Sequence, residues 1–539
     1  MKKLILLVSL VSFTMQAQNV TVNSGRSFTI QSTSSLTVGG NFSNSGTGTV
    51  TLNSDSTNFS SIIISGNVSD GSNITYNRYV NAEGTNGWDL IGSPVDGLTI
   101  SSFIETNEST GTATLAQNQS AYAIGVYDNA LDTWTNYNST SFPGSLGYIG
   151  SNPFIIGKGY QMASVDGGTG LLKFTGAPVS TPQTQPIIDN DLANSGTGRI
   201  WNLVANPYPS YIYANNNANS THNVLKANYN VSEESPVDNL HNSYVALYGY
   251  NADGSGYTIY NQSSAATYIA PGQAFMVASD NSSSGTSISF TPAMRTVQGG
   301  DDFISGRIMN PTSSEFLLKL YQEEILIDNT RFYFDNDLTL GLDPGYDAGH
   351  FNQDASLISR LVEEDEGVGF AINAMGSEAL SGVSIPLEVN QQSNVPFRIS
   401  LEDSTIASDV EVQLEDRLLE TLTLLNDEDF TLTAVENLSG IGRFYLHLGN
   451  VTLGEDSFAN SFASIYKGIN DDYITIEGLP NSSKNNVSIY NLLGQLVANK
   501  SLNANQTKQT VSTKGFPSGI YVVELHSGRS VVTKKIIVK

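Results

Sequence analysis

The C-terminal part of the chain reads Asn486-Val-Ser-Ile-Tyr-Asn-Leu-Leu-Gly-Gln495, then Gly519-Ile-Tyr-Val-Val-Glu-Leu525 and finally Lys534-Lys-Ile-Ile-Val-Lys539. β-Branched or aromatic residues alternate there with polar ones, and Asn, Gly, Ser and Pro separate the runs. Alternation with a period of two is typical of strands that bury one face, and the separating residues favour tight turns. The pattern therefore predicts a small sandwich of antiparallel strands.

These runs resemble the type A C-terminal sorting domain of proteins that the type IX secretion system of Bacteroidota exports. The resemblance covers about 80 residues and predicts an immunoglobulin-like sorting domain at residues 464–539. It implies recognition by the outer-membrane translocon, removal by a sortase-like peptidase, and either release or attachment to surface lipopolysaccharide. One departure is Tyr466-Lys-Gly-Ile-Asn470, where family members usually carry Tyr-Pro-Asn-Pro. The residues that carry the sorting motif are Gly494, Gly519, Ile520, Tyr521, Lys534, Lys535 and Lys539.

The N-terminus has the features of a secretory signal peptide over residues 1–17. Lys2 and Lys3 precede an apolar run, and the small Ala17 predicts cleavage before Gln18. The run is too short to anchor the chain across a bilayer. The alternative is a buried N-terminal helix. With the C-terminal motif, this pattern predicts a protein that passes through the periplasm to the outer cell surface or the extracellular space.

The composition and charge of the chain exclude several kinds of site and partner. The chain of 539 residues has no cysteine, which excludes disulfides, thiolate metal sites and cysteine nucleophiles. Its formal charge of -26 divides into -8 for residues 1–300, -21 for residues 301–454 and +3 for residues 455–539. Three charge regimes predict at least three domains. The acidic middle region would repel nucleic acid, so a nucleic-acid partner is not expected.

Short apolar-polar-apolar triplets recur near the N-terminus. Val20-Thr-Val22, Phe28-Thr-Ile30 and Leu36-Thr-Val38 follow one another at intervals of about eight residues, with Ser, Asn and Gly between them. Triplets of this kind predict a short β-solenoid or hairpin stack over residues 18–74. The alternative is a disordered linker, which the repeated apolar residues argue against.

The central part of the chain contains an internal repeat. Trp88-Asp-Leu-Ile-Gly-Ser-Pro94 matches Trp201-Asn-Leu-Val-Ala-Asn-Pro207, and Gly157-Lys-Gly-Tyr-Gln-Met-Ala-Ser164 matches Gly272-Gln-Ala-Phe-Met-Val-Ala-Ser279. The nearly constant offset predicts two β-sandwich copies, which we place at residues 75–180 and 181–300. The pair also resembles tandem modules of secreted proteins that carry the same sorting tail. Each copy's tryptophan is expected to pack in the core.

The acidic region is also predicted to be a β-sandwich, at residues 301–452, with one short helix over residues 357–364. A stretch poor in large apolar residues follows at residues 453–463, and we expect it to be the linker in which the tail is cleaved. The predicted fold class is therefore all-β throughout.

One acidic cluster predicts a calcium site. Asp335, Asp337, Asp343 and Asp347 put four carboxylates around a Pro-Gly turn, and Ca²⁺ takes six to eight oxygen ligands of this kind. The spacing differs from that of an EF-hand, so a solvated acidic loop is the alternative. No other cofactor is expected.

The two most readable hydrolase signatures, Gly-x-Ser-x-Gly and His-Glu-x-x-His, do not occur in the sequence. We therefore expect a non-catalytic secreted or cell-surface protein that is adhesive or structural. A glycan-binding module of a polysaccharide-degrading system is the main alternative, and host surfaces are further candidate partners. A weaker alternative is an unrecognised hydrolase with a carboxylate pair. The aromatic residues expected to be exposed for sugar stacking are Trp134, Tyr137, Tyr208, Tyr211 and Tyr213.

Overall fold

The structure, a computed structural model, divides into two compact units, Met1–Ile308 and Met309–Lys539. Strands make up most of the secondary structure in both units, so the predicted all-β fold class is confirmed. Within the part of the chain that is described, no helix is long and apolar enough to cross a membrane. The described residues are 14–83, 88–108, 114–141, 147–150, 152–190, 200–230, 236–251, 257–279, 286–302, 314–351, 356–449, 463–467, 472–479, 485–503, 506, 508–527 and 530–538.

The first unit begins with a three-sided coil in which the chain winds round and adds one strand to each side. Parallel pairing joins β1 to β4 to β7, β2 to β5, and β3 to β6 to β8. Asparagines form a ladder at one corner, where Asn19 accepts the N–H of Asn41 and Asn41 accepts that of Asn67. The strands are β1 (Thr14–Ala17), β2 (Val20–Val22), β3 (Ser27–Ile30), β4 (Ser35–Val38), β5 (Phe42–Asn44), β6 (Thr49–Asn53), β7 (Ser61–Ile64) and β8 (Ile74–Tyr79).

The first repeat copy continues from β8, which pairs antiparallel with the last strand of the copy. Its core joins that of the coil, so the two segments share one apolar cluster. Its elements are β9 (Asp89–Ile91), β10 (Val95–Asp96), α1 (Ile100–Asn107), β11 (Gln117–Asn118), β12 (Ala121–Asp128), β13 (Thr133–Asn138), β14 (Tyr160–Met162) and β15 (Leu171–Pro178).

The second copy has its own apolar core and the same framework. It also contains 3-10 helices at Asn242–Tyr244 and Pro292–Met294. Its elements are β16 (Gln183–Pro186), β17 (Trp201–Ala205), β18 (Tyr211–Tyr213), α2 (Val224–Asn228), β19 (Tyr229–Asn230), β20 (Val237–Asp238), β21 (Leu247–Tyr250), β22 (Tyr257–Tyr260), β23 (Tyr268–Ile269), β24 (Ala274–Ala278), β25 (Ser287–Phe290) and β26 (Arg295–Thr296).

The duplication that the sequence predicts is visible in the strand order. Four strands of the first copy lie in the order β13-β12-β14-β9, and their counterparts lie in the order β22-β21-β24-β17. Each copy also pairs its leading strand with its closing strand, β8 with β15 and β16 with β25. A short helix follows the tryptophan motif in each copy, and its N-terminus is capped by the side chain of Thr99 or Asn223.

The two copies contact each other through equivalent residues. The N–H of Gly92 donates to the carbonyl of Gly272 at 2.7 Å, and the N–H of Ala205 donates to the carbonyl of Gly157 at 2.8 Å. In the repeat alignment Gly92 corresponds to Ala205, and Gly157 corresponds to Gly272. Each copy therefore contributes the same two positions, as the subunits of a twofold-symmetric dimer do.

In the second unit, residues 314–449 form an acidic β-domain around one apolar core. Ten of its strands follow the order β35-β34-β37-β32-β30-β31-β28-β27-β33-β36, and β29 pairs with β31. A 3-10 helix spans Ser377–Ser381. The strands are β27 (Ser314–Gln322), β28 (Ile325–Phe334), β29 (Ala348–Gly349), β30 (Ser356–Ser359), β31 (Phe370–Met375), β32 (Val383–Asn390), β33 (Pro396–Glu402), β34 (Val412–Asp416), β35 (Thr421–Leu424), β36 (Phe430–Thr433) and β37 (Phe444–Leu448).

The short helix predicted over residues 357–364 is wrong. β30 occupies the start of this segment, and all four of its residues are buried. It pairs with β32 along its whole length and with β31 at Ser359. The backbone N–H and carbonyl of Leu357 bond to the side chains of Asp328 and Thr330 instead. A segment buried on both faces loses the polar face that a surface helix needs.

The C-terminal sandwich, residues 463–538, consists of a three-stranded sheet in the order β38-β39-β42 and a four-stranded sheet in the order β41-β40-β43-β44. Its core is a separate apolar cluster between the two sheets. The strands are β38 (Ser464–Tyr466), β39 (Tyr473–Glu477), β40 (Asn485–Asn491), β41 (Leu496–Leu502), β42 (Lys508–Ser512), β43 (Gly519–Ser527) and β44 (Ser530–Val538).

Candidate functional site on the C-terminal sandwich

The four-stranded sheet of the C-terminal sandwich has one face in the core and one face in solvent. In β43, Tyr521, Val523 and Leu525 point into the core, while Ile520 remains 40% exposed. This strand therefore places an apolar side chain on the solvent face, where polar residues are the rule.

A tight turn at the end of β40 adds two more exposed apolar residues. The Asn491 side chain accepts the N–H groups of Leu493 and Gln495, both at 3.0 Å. Gly494 adopts a φ of +75°, which favours glycine because it has no Cβ. The turn holds Leu492 and Leu493 outward, and their exposed fractions are 67% and 84%.

Strand register brings these residues to one end of the sheet. Ile520 pairs with Ile537, which is 62% exposed, and Asn491, directly before the turn, pairs with Tyr521. Exposed apolar groups that cluster in this way mark sites of protein or membrane interaction. We call this cluster the outer patch, and it consists of Leu492, Leu493, Leu496, Ile520 and Ile537.

The predicted sorting residues have different structural roles. Gly494 shapes the turn and Ile520 belongs to the outer patch, whereas Tyr521 is buried and donates its hydroxyl to the carbonyl of Pro517 at 2.7 Å. Gly519 begins β43 opposite Val538.

Two of the three predicted C-terminal lysines lie in β44. Lys534 pairs with Val523, and Lys535 pairs with Val522, which leaves Lys535 exposed beside the outer patch. Lys539 lies outside the described residues.

The predicted signal cleavage site falls at the end of the first strand. Ala17 closes β1 and pairs with Val38, and Gln18 is exposed. Residues 1–13, which contain the apolar run, lie outside the described residues.

The structure does not gather the four predicted calcium ligands around one point. Asp335 accepts the N–H of Asp337 at 3.1 Å, and Asp347 accepts the N–H of Asp343 at 2.6 Å, so these carboxylates stabilise turns. Asp347 is fully buried, and burial raises its pKa well above the usual range. In the described ranges no group of three or more His, Cys, Asp or Glu side chains could hold a metal ion. The calcium site stays a prediction.

Two of the aromatic residues expected to be exposed are buried instead. Tyr208 is 0% exposed and donates its hydroxyl to the carbonyl of Phe290, and Tyr211 is 3% exposed and donates to the carbonyl of Gly300 at 2.5 Å. Burial satisfies each ring in the core and each hydroxyl on a backbone acceptor. The prediction that these two rings are exposed is therefore wrong. Tyr213 is half-buried beside Tyr268.

Trp134, another aromatic residue expected to be exposed, belongs to a pair of rings, and each repeat copy contains one such pair. The Tyr127 and Trp134 rings lie 5.3 Å apart across β12 and β13, and the Tyr250 and Tyr257 rings lie 5.4 Å apart across β21 and β22. All four side chains are half-buried. Burial raises the pKa of Tyr257, and the neighbouring Tyr250 and the carboxylate of Asp132 raise it further. Asp132 belongs to the first copy and therefore lies close to the aromatic pair of the second copy.

The last of these residues, Tyr137, has a structural role. It packs against the core of the first copy, and burial raises its pKa to about 12.

Sequence reasoning missed a buried charge cluster in the first unit. Arg78 is fully buried and pairs with Asp302 at 2.8 Å, while its Nε donates to the carbonyl of Pro271. Burial and the nearby Asp302 raise the pKa of Asp89 to about 7. Asp302 lies more than 200 residues from Arg78 and Asp89, so no local motif could have indicated the cluster.

Two known families together match nearly the whole chain. Residues 6–448 match the family described as Domain of unknown function (DUF8693). The chain belongs to this family. The DUF8693 match ends with β37, and a second family, the Secretion system C-terminal sorting domain, matches residues 470–539. The predicted type IX sorting domain is therefore confirmed, and this member of DUF8693 is a secreted or cell-surface protein of the type IX system.

Other comparisons add little. A search of curated proteins finds no match. Among solved structures, the "Biofilm associated protein - BSP domain" is 12% identical over 29% of this chain and 29% of that chain, with a TM-score of 0.15. Dimeric latent PorU from Porphyromonas gingivalis is 13% identical over 47% of this chain and 31% of that chain, also with a TM-score of 0.15. Both matches span less than a third of the solved chains.

Proposed function

We propose that the DUF8693 part of this chain is a non-catalytic, adhesive or structural cargo, and that the sorting domain delivers it to the outer cell surface. The observation that carries the proposal is the sorting domain at the C-terminal end of the chain, with its outer patch exposed. The cargo is built from stacked parallel strands and duplicated β-modules, an architecture suited to display. After export, the tail would be removed by a sortase-like peptidase, and the cargo released or attached to surface lipopolysaccharide.

The outer patch is the part of the sorting domain that we expect the export machinery to contact. Its five apolar side chains are exposed on one sheet end, so binding would remove them from water without unfolding the domain. Lys535 lies beside them and offers a positive charge at the rim.

The test replaces Leu493 and Ile537 with serine in the full-length chain expressed in a host with the type IX system. We expect the variant to accumulate in the periplasm, because the contact surface loses its apolar character while the core is unchanged. Cell fractionation and surface proteolysis measure its location. Tyr473→Ser is the matched control, since Tyr473 is 41% exposed on the other sheet. Surface display equal to wild type would refute the role of the patch.

Deletion of residues 458–539 tests the sorting function itself. The truncated chain should remain folded but stay in the periplasm, and undiminished surface display would refute the sorting role.

A second candidate function for the cargo is glycan binding. The observation that favours it is the pair of aromatic contacts, Tyr127 with Trp134 and Tyr250 with Tyr257, which the repeat places near each other. Half-exposed rings can stack on the apolar face of a sugar. Glycan-array binding of the full chain, compared with Trp134→Ala, tests this candidate. No binding by the wild type would leave adhesion to other surfaces as the function.

A further inference from the structure

A buried ion pair forms the centre of a contact between the acidic β-domain and the sorting domain. The Arg360 guanidinium donates to both carboxylate oxygens of Asp365, each at 3.1 Å. Arg360 is 2% exposed and Asp365 is 7% exposed. Both residues belong to the acidic β-domain, so the pair can exist without the tail. Its burial depends on what covers it.

The sorting domain covers this pair with side chains of complementary chemistry. The Tyr466 ring centroid lies 5.3 Å from the Arg360 guanidinium carbon, and the Glu477 carboxylate lies 3.8 Å from Arg360. The Tyr466 hydroxyl donates to Glu477 at 2.8 Å, and the Ser464 hydroxyl donates to Asp365. These tail residues lie on β38 and β39, so the three-stranded sheet is the docking side. The outer patch is on the other sheet.

Two glycines of the acidic β-domain make room for the tail. A Cβ built on Gly367 would lie 2.2 Å from the Tyr466 ring, and one built on Gly442 would lie 2.5 Å from the Cα of Gly478. Any side chain at either position would therefore displace the sorting domain. The surface of the acidic β-domain is shaped to receive this partner closely.

The composition of the contact distinguishes it from a domain core. The apolar cores of the acidic β-domain and the sorting domain are separate clusters. A contact built from charged pairs, hydroxyls and glycines resembles a non-obligate interface, whose sides remain folded when they part. Arg360 and Asp365 would stay paired after separation, and Glu477 would regain water.

We propose that this surface, which we call the Arg360 seat (Arg360, Asp365, Gly367 and Gly442), binds the sorting domain as a non-covalent partner after the connecting chain has been cut. The partner is this chain's own tail, recognised by an aromatic ring and a carboxylate on adjacent strands. Cleavage and release are then two separate events, and the seat sets the rate of the second. The biological meaning of the cut depends on the proposed sorting function, but the binding itself does not.

The experiment places a site-specific protease sequence between residues 452 and 462 of the full-length chain and cuts it after purification. We expect the cut tail to co-elute with the cargo on size exclusion at micromolar concentration. Tyr466→Arg should abolish co-elution, because it places a second cation against the buried Arg360. Glu477→Gln should raise the dissociation rate about tenfold, since it removes one buried charge partner.

Tyr490→Arg is the matched control, because Tyr490 is a half-buried tyrosine on the other sheet of the same domain. Its cut tail should co-elute as in wild type. Circular dichroism of each uncut variant checks that the sorting domain is folded. If the Tyr466→Arg variant does not fold, the result for Glu477→Gln decides the test. Separation of the wild-type tail on cutting, or retention of the Tyr466→Arg and Glu477→Gln tails equal to wild type, would overturn the seat. Export of the same uncut variants, assayed in cells, reports separately on the sorting function.

Discussion

The two repeat copies have the same strand order, yet their equivalent residues differ where the copies meet. Asp89 in the first copy corresponds to Asn202 in the second. The Asp89 side chain accepts the backbone N–H of Asn81, and the Asn202 side chain accepts that of Ile188. Each donor lies two positions past the leading strand of its copy. The Asn202 amide also donates to two backbone carbonyls, at 2.8 and 2.9 Å. The Asp89 carboxylate accepts from the Asn81 side chain instead. The framework bond is kept, and only the first copy carries a titratable group there.

A second comparison shows what both copies need. Asn107 at the end of α1 donates to the carbonyls of Phe103 and Lys173 and accepts the N–H of Lys173. Asn228 at the end of α2 makes the same set of bonds to Val224 and Ser289. In each copy one buried amide joins the helix to the closing strand. Duplication has therefore kept the polar connections within a copy while changing residues near the axis between copies.

The largest effect on stability is expected when this shared connection is broken. Replacing either Asn107 or Asn228 with alanine leaves buried backbone groups without partners, and each change should lower the free energy of unfolding by about 3 kcal/mol. Urea unfolding of the full chain measures it, with the exposed Asn73→Ala as control. Unequal losses at the two sites would mean that the copies do not depend equally on the amide, and a loss below about 1 kcal/mol at both would contradict its structural role.

The repeat was predictable from sequence because Trp88 and Trp201 begin motifs of equal length. Asn107 and Asn228 escaped notice because their offset is 121 residues, against 113 for the tryptophans, so loop lengths differ between the copies. The structure aligns them through the helix and the closing strand. Side chains whose role depends on two distant elements carry no local sequence signal.

The outer patch was predictable in part. Leu492 and Leu493 beside Gly494 indicate a turn with apolar residues at its tip. The addition of Ile520 and Ile537 depends on strand register, which alternation alone does not fix between distant strands. Tyr208 shows the opposite failure, because a turn-like Pro-rich context predicted exposure while the ring lies in the core. The Arg360 seat likewise depends on residues about 100 positions apart in sequence.

The next effect concerns the close approach of the copies. A Cβ built on Gly92 would lie 2.3 Å from the Cβ of Ala205, its own counterpart in the second copy. Both positions cannot carry a side chain, so the asymmetry of Gly in one copy and Ala in the other follows from the contact. Gly92→Ala should lower the free energy of unfolding by about 2 kcal/mol through overpacking.

The same contact predicts a rescue. Adding Ala205→Gly to Gly92→Ala removes the contact between the two Cβ atoms and should recover part of the lost stability, because the new Cβ still lies 2.7 Å from the carbonyl oxygen of Lys158. The double-mutant cycle measures the coupling, which should be at least about 1 kcal/mol. Ala205→Gly alone is the control for the effect of glycine in a strand. Additive losses in the double variant would mean that the two positions do not meet as described.

The last effect comes from Asp89 and varies with pH, and its sign follows from the pKa of this side chain. Burial and the nearby Asp302 raise the pKa of Asp89 to about 7 in the folded chain, whereas Arg78 and bonds from Asn81 oppose the rise. The ordinary value is 3.8, so the folded state binds the proton more tightly between pH 4 and pH 7. Its contribution to the free energy of unfolding therefore falls as pH rises through this window, by at most about 1.4 kcal/mol per pH unit.

Asp89→Asn should remove this contribution and make the first copy resemble the second, which already has Asn202. The variant's free energy of unfolding should fall less steeply than that of wild type between pH 5 and pH 7, and the two curves should run parallel above pH 8. Urea unfolding at four pH values measures the slopes, with the exposed Asp70→Asn as control. The Asn81 bonds can be kept by a rotated amide only in part, so a constant offset is expected as well. A constant offset cannot produce a difference in slope. Such a difference therefore separates a titrating carboxyl at the copy interface from a merely structural one. Parallel curves throughout would place the pH dependence elsewhere in the first unit.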